Sequence, residues 1–376
     1  MTAPETIPAP PGVIQRFRQH YERNEHRIAV TAFVGGFVFD IFTSDRIDSW
    51  YTIGQQAFYL VIVTAILTQV FLDEGRPPSE AAGASALKRW YLHYRAAIVN
   101  FFLGTLLNLY TIFYFKSSSL LVSFFFLAFL VLLLVLNEFN RFKQLGIAFK
   151  FALLSLCGLS FCASVVPVFV GSVGVGVFLA SLLAGSIPMV GLAWWIGRFA
   201  PDVFARARNQ VLLPFGLVLV GFLGFYLFRL IPPVPLSIPF IGVYHAVERA
   251  GDEYRLSHER PWWRVWENGD QEFLAQGGDK IYVFFRIFSP TRFSDQVQIR
   301  WYWKDGSRGW VLQDSLPINI VGGRRDGFRG YGFKTNYQFG EWKAQVETTD
   351  GREIGRIYFD VEIAPEGPRS FDVDIE

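Results

Sequence analysis

Apolar residues come in long unbroken runs along the first part of the chain, and alternate with polar ones along the last part. A helix rises about 1.5 Å per residue, so about 20 apolar residues cross the roughly 30 Å hydrocarbon layer of a bilayer. Runs over 28–43, 51–72, 96–115, 118–137, 145–170, 174–197 and 211–231 predict seven membrane spans. The first is short and carries Asp40. Gly176, Ala180 and Ala184 form a small-residue stripe at helical spacing, of the kind that lets another helix approach closely. From residue 242 the period changes to two. Val297, Ile299, Trp301 and Trp303 share one face of 296–304, and Gln296, Gln298, Arg300, Tyr302 and Lys304 share the other. The runs 341–347 and 356–363 alternate in the same way, with Asp350-Gly351 between them as a hairpin turn. Further strands are expected over 242–248, 280–288, 309–313, 317–321 and 331–337. The fold class expected is therefore an all-α bundle of seven transmembrane helices followed by an all-β antiparallel, immunoglobulin-like sandwich.

These patterns divide the chain into a tail over 1–27, a membrane domain over 28–231, a Pro-rich linker over 232–241 and a β domain over 242–376. Charge follows the same division. Up to residue 231 the net charge is +6; beyond it the net charge is −4, giving +2 over all 376 residues. Basic and base-poor links alternate between the spans. Arg16, Arg18, Arg23 and Arg27 precede the first, Arg76, Lys88, Arg89 and Arg95 fall between the second and third, and Arg198, Arg206 and Arg208 precede the last. The positive-inside rule then puts the N-terminus in the cytoplasm and the β domain in the periplasm, with the chain in a bacterial inner membrane. Trp50, Trp90, Trp194 and Trp195 lie near span ends, where interface aromatics sit. No cleavable signal follows the first methionine. The 51% hydrophobic and 18% charged composition excludes a disordered or nucleic-acid-binding chain.

The stretches Lys280-Ile-Tyr-Val-Phe284, Trp301-Tyr-Trp303, Gly322 to Gly330, Gly340-Glu-Trp342, Asp350-Gly-Arg352 and Ile354-Gly355 up to Phe359 resemble a bacterial envelope family. It is the one known as domain of unknown function 2914, found at the C-terminus of multi-span membrane proteins. The resemblance covers roughly 242–363, and its sharpest parts are the Gly-Glu-Trp strand and the Asp-Gly-Arg turn. Members often carry a His just before the first strand Trp; here Ile299-Arg300 stand there, so no role of that His carries over. The resemblance implies no activity.

Chemistry-bearing candidates are few. Inside the predicted spans these are Asp40, Gln55, Gln56, Asn100 and Asn108, which point either to interhelical hydrogen bonds or to a translocation path. The five His form no metal pattern, no catalytic set is present, and no cofactor is expected. Gly171-Ser-Val-Gly174-Val-Gly176 reads as a tight turn between two spans. In the β domain, Arg324, Arg325 and Arg329 lie in a Gly-rich segment suited either to an anion or to a solvated loop. Trp262 and Trp263, in Pro261-Trp-Trp-Arg-Val-Trp266, suit sugar stacking, a membrane interface or a cap on the sandwich. The partners these features suggest are the lipid bilayer, an anionic lipid or cell-wall ligand, and an envelope protein; nucleic acid is not among them. The expected function is a non-enzymatic envelope binding or scaffold module. The alternative is a transporter or membrane-embedded enzyme whose outer domain gates or assists the helices.

Overall fold

The computed structural model describes residues 47–74, 86–117, 120–138, 146–290, 293–322, 327–365 and 367–376. The expected first span, 28–43 with Asp40, lies outside them, as do Arg324 and Arg325. The described chain is a helical region followed by an antiparallel β-rich region. Six long helices are described: α1 (Trp50–Asp73), α2 (Ala86–Lys116), α3 (Leu120–Glu138), α4 (Ile147–Val170), α5 (Val175–Phe199) and α6 (Phe204–Leu227). Five of these, all but α3, are long and apolar enough to cross a membrane.

The helices begin and end where local chemistry requires. Gly171 takes φ 80°, a left-handed value that suits glycine, and its N–H donates to the Pro167 carbonyl at 2.8 Å to close α4. Gly174, at φ 134°, opens α5. Within α6 a π turn spans Arg208–Leu212, just before Pro214, whose missing N–H interrupts the regular ladder. The helix ends at Leu227, short of the expected 231, because Arg229 turns to φ 59° and Pro232 and Pro233 cannot continue it. α4 is the central helix, touching α1, α2, α5 and α6. The small-residue expectation needs correction. Gly176 and Ala180 face outward, and the close approach of α5 to α4 is at Gly185, where a Cβ would stand 3.0 Å from Leu159 Cδ2.

Alternate helix ends gather in two groups. Trp50 at the start of α1 meets Phe169 near the end of α4 at 5.6 Å. At the other end Arg206 donates to the Phe71 carbonyl at 2.5 Å, and Arg95 pairs with Asp73 at 2.5 Å. Arg95 and Arg206 therefore lie at one end of the bundle, and the β-rich region starts from the other.

Eleven strands follow among the described residues: β1 (Ser237–Tyr244), β2 (Ala246–Ala250), β3 (Glu253–His258), β4 (Glu272–Ala275), β5 (Ile281–Phe288), β6 (Ser294–Asp305), β7 (Gly309–Val321), β8 (Phe328–Lys334), β9 (Gly340–Thr348), β10 (Glu353–Ile363) and β11 (Asp372–Ile375). They form sheets β1-β5-β8, β4-β10-β9-β6-β7 and β11-β3-β2. All pairings are antiparallel except β4 with β10. β1 starts inside the stretch expected as linker; it is an edge strand with a bulge at Pro239, where a residue without an N–H is tolerated.

β5 explains why there are three sheets. Ile281, Val283, Phe285 and Ile287 pack into the main core with Trp301, Trp342, Val346 and Phe359 of the five-stranded sheet. Phe284, on the opposite face, packs with Tyr244 and Leu256, beneath the sheet that holds β2 and β3. A strand covered on both sides reads as a nearly continuous apolar run, as Ile281–Phe288 does apart from Arg286, which pairs with Glu376.

Candidate functional site

The strand directions define two ends of the β-rich region. The start of β1, β6, β8 and β10 and the end of β5, β7 and β9 lie at the end nearer the helices. Two anchors hold this end. In the first, the Asp350-Gly351-Arg352 turn of the β9–β10 hairpin meets the tip of α6. Gly351 takes φ 79°, and the Gly351 N–H donates to Thr348 O at 2.9 Å. Arg352 is buried, with its guanidinium carbon 3.2 Å from the centroid of the Tyr226 ring, which stacks at 3.7 Å on Phe178 of α5. Arg352 Nε donates to Asp350 Oδ2 at 2.9 Å, and its Nη1 reaches the Ile231 carbonyl at 3.4 Å. Burial works upward on the Asp350 carboxyl, but Thr348 and Arg352 outweigh it and hold it below its ordinary value. A cavity of about 30 Å³, enough for one water, lies among Tyr226, Pro233, Val234 and Arg352. In the second anchor, the N–H of Ser294 donates to Gly171 O at 2.9 Å and the N–H of Val173 donates to Asp295 Oδ2 at 2.8 Å. A cation on a desolvated ring contributes about 2 kcal/mol, so the Arg352 stack is a fixed joint rather than a passing touch.

The tryptophan loop stands away from this joint. It leaves β3 at His258 and returns as β4, whose Glu272 pairs with Asp360. Asp360 is about 23 Å along β10 from Glu353, at ~3.3 Å per residue. Trp262, Trp263, Val265 and Trp266 are 87%, 50%, 82% and 68% exposed, while Trp301 and Trp342 are buried in the core. The loop's backbone is nevertheless held. The N–H of Arg264 donates to Pro261 O at 3.0 Å and that of Glu267 to Arg264 O at 3.1 Å. Arg264 pairs with Glu272 at 2.9 Å and lies over the Trp263 ring at 5.0 Å; Arg260 donates to the Glu267 carbonyl. Gly269, at φ 70°, lies so close to β1 that a Cβ would stand 1.9 Å from the Val243 carbonyl oxygen.

Beneath the loop is a buried ionic cluster that sequence reasoning missed. Asp270 takes the Glu259 N–H on both oxygens, at 2.9 and 3.0 Å. Arg369 donates to Glu259 at 2.9 and 2.6 Å, to Asp279 at 2.7 Å and to Leu274 O at 2.7 Å. His245, at the break between β1 and β2, stacks on Phe273 at 4.0 Å, with its Nε2 3.5 Å from Asp270 and 3.6 Å from Glu259. Burial pushes Asp270 up to about 7, while burial and the neighbouring Arg369 bring His245 down to about 4. The carboxylate of Glu259 binds Arg369 and raises its already high value. For Asp279 burial works upward, but the Gln276 N–H and Arg369 outweigh it. The centre of the cluster is filled by Arg369, and no group of His, Cys, Asp and Glu disposed for a metal ion occurs among the described residues. The members lie far apart in sequence, so no local motif announces them; the one signal was His245 in the otherwise apolar Gly242–Val247 stretch.

The remaining candidates are dispersed. Arg329 points to the third sheet, donating to the Glu376 backbone oxygen at 2.8 Å and lying over Tyr254. Gln55 donates to Tyr59 at 2.7 Å and buried Gln56 to Thr52 O at 3.1 Å, both bonds within α1. Asn100 and Asn108 lie on α2. A larger cavity of about 260 Å³ opens between α3, α4 and α6, with Phe126, Phe149, Phe222 and Phe225 among its walls. None of these four amide residues lines either cavity.

Residues 294–361 match the family described as "Protein of unknown function (DUF2914)". The matched segment runs from β6 into β10 and contains the β-side residues of both anchors, Ser294, Asp295, Asp350 and Arg352. No curated protein matches the chain. Among solved structures, an immunoglobulin-like protein from Pseudomonas aeruginosa is 13% identical over 34% of this chain and 98% of its own, with a TM-score of 0.21. A beta-glucosidase from Listeria innocua is 10% identical over 32% of this chain, which spans only 18% of that enzyme, with a TM-score of 0.21. At these scores neither bears on the fold or the activity of this chain.

Proposed function

We propose that the chain is a bacterial inner-membrane protein that carries a non-enzymatic binding module of the cell envelope. In this reading 28–43 is a seventh span, the N-terminus is cytoplasmic, and the β-rich region is a periplasmic, immunoglobulin-like sandwich with a third sheet laid over it. The gathering of Arg95, Arg198 and Arg206 at the helix ends away from the β-rich region supports that orientation. Exposed Trp50, Trp90, Trp194 and Trp195 near helix ends support a bilayer around the helices. The observation that carries the binding reading is the tryptophan loop: four large apolar side chains in water on a backbone already held in place. Folding gains nothing from their exposure, and a rigid loop binds without an ordering cost. The alternative, transport or membrane-embedded catalysis, needs intramembrane polar groups around one cavity, and Gln55 and Gln56 instead bond within α1.

The test is a photo-reactive residue at position 262 in intact cells, with a periplasm-dependent reporter fused after residue 376. An active reporter and a discrete crosslinked product are expected. A silent reporter removes the orientation, and no product of any kind removes the binding reading.

A further inference from the structure

We infer that the tryptophan loop takes a neutral glycan chain, stacked on Trp262 and Trp263. The inference rests on the binding reading above and names its ligand class. Three observations select it. The first is charge. Around the loop Arg260, Arg264 and Arg369 stand against Glu259, Glu267, Asp270 and Glu272, with Asp270 buried and every arginine committed, Arg369 to Glu259 at 2.6 Å, Arg264 to Glu272 at 2.9 Å and Arg260 to the Glu267 carbonyl. A surface whose charges are nearly balanced and whose arginines are all committed offers no free cation to draw an anionic bilayer, a nucleic acid or a phosphorylated ligand. The second is position. Glu272, at the base of the loop, pairs with Asp360, about 23 Å along β10 from Glu353 at ~3.3 Å per residue, and Arg264 of the loop reaches it at 2.9 Å, which holds the loop off the bilayer its own helices would span. The third is chemistry. Sugar rings present C–H faces that pack on indole and hydroxyl edges that need acceptors. Trp262 offers nearly its whole ring, and the Glu272 carboxylate at the base of the loop is 60% exposed on its side chain. Trp263, half exposed, is propped between Arg264 at 5.0 Å and Trp266 at 5.7 Å, which fixes its ring beside that of Trp262.

The experiment titrates the intact protein in neutral detergent with N-acetylglucosamine oligomers and with neutral glucose oligomers, reading tryptophan fluorescence and heat. In parallel, protein in nanodiscs is mixed with zwitterionic and anionic vesicles. Saturable glycan binding is expected. W262A and W263A should each weaken it at least about tenfold, equal to 1.4 kcal/mol. E272Q should weaken it less, and F339A, which removes an exposed ring elsewhere, should leave it unchanged. Because Trp262 is open to water, W262A should melt with the wild type, so its loss of binding is not a loss of fold. No saturable binding to either oligomer series, binding indifferent to W262A and W263A, or a loop that seats in vesicles overturns the glycan assignment. If position 262 nonetheless crosslinks a protein in cells, the binding-module reading stands without the glycan; if it crosslinks nothing, both fall.

Discussion

At the scale of single residues, His245 and Asp270 set opposing pH dependences. Asp270 has its folded value raised to about 7 from 3.8, so the stability it contributes is full at low pH and disappears as pH rises through 7. His245 has its folded value lowered to about 4 from 6.5, so its contribution is present above 6.5 and is lost as pH falls through 4. Between about pH 4 and 6.5 the two slopes oppose, and the wild-type protein should change little. D270N removes one side. Its stability should then rise with pH across that window, with a slope of at most about 1.4 kcal/mol per pH unit. H245Q should show the reverse slope, from pH 4 to 7. Denaturant midpoints of the intact protein at several pH values measure this, and parallel curves for wild type and D270N would contradict the buried pair.

At the scale of elements, Gly269 decides how closely the tryptophan loop sits on β1. G269A puts a methyl group 1.9 Å from the Val243 oxygen at a backbone angle unfavourable to alanine, and should cost about 1–3 kcal/mol. The loop should lift first, seen as faster proteolysis at Arg260 and Arg264 than at sites on the helices; uniform protection would refute the close seat. Legibility from sequence also differs by element. Four of the described helices, α1, α3, α4 and α5, follow the expected spans within two residues, because twenty apolar residues in a row have few alternatives, whereas α2 starts ten residues and α6 seven residues before the expected spans. β5, β6, β9 and β10 were legible from alternation or apolar density, and the Asp350-Gly351 hairpin from its turn chemistry. The expected 242–248 strand is two, broken at His245, and 309–313 with 317–321 is one, because Pro317 sits on an edge strand that needs no N–H there. β3, β4 and β11 went unread: all are short, β4 and β11 exist through pairing with partners distant in the chain, and β3 forms a hairpin only with the equally short β2. Trp262 and Trp263 were legible as a cluster, but not the ionic cluster beneath them, whose members meet only in the fold.

At the scale of the whole molecule, the joint should make the helices and the β-rich region unfold together. Arg352 is buried between Asp350 and the Tyr226 ring, so R352A removes the stack and leaves Asp350 without its cation. Breaking such a pair costs about 3–5 kcal/mol. Calorimetry of the intact protein in detergent should show one transition in wild type and two in R352A, with new cleavage between Ile231 and Leu236. R352K keeps the charge but not the planar stack and should fall between. A single unshifted transition in R352A would mean that the two regions are merely tethered. Because the hairpin that grips Tyr226 lies in the same sheet whose far edge strand closes the tryptophan loop, that sheet is a torque arm. Load applied at its outer tip is delivered to the α4–α5 turn and the last residues of α6 at once. Whatever the tip grasps therefore has leverage on the mouth of the bundle.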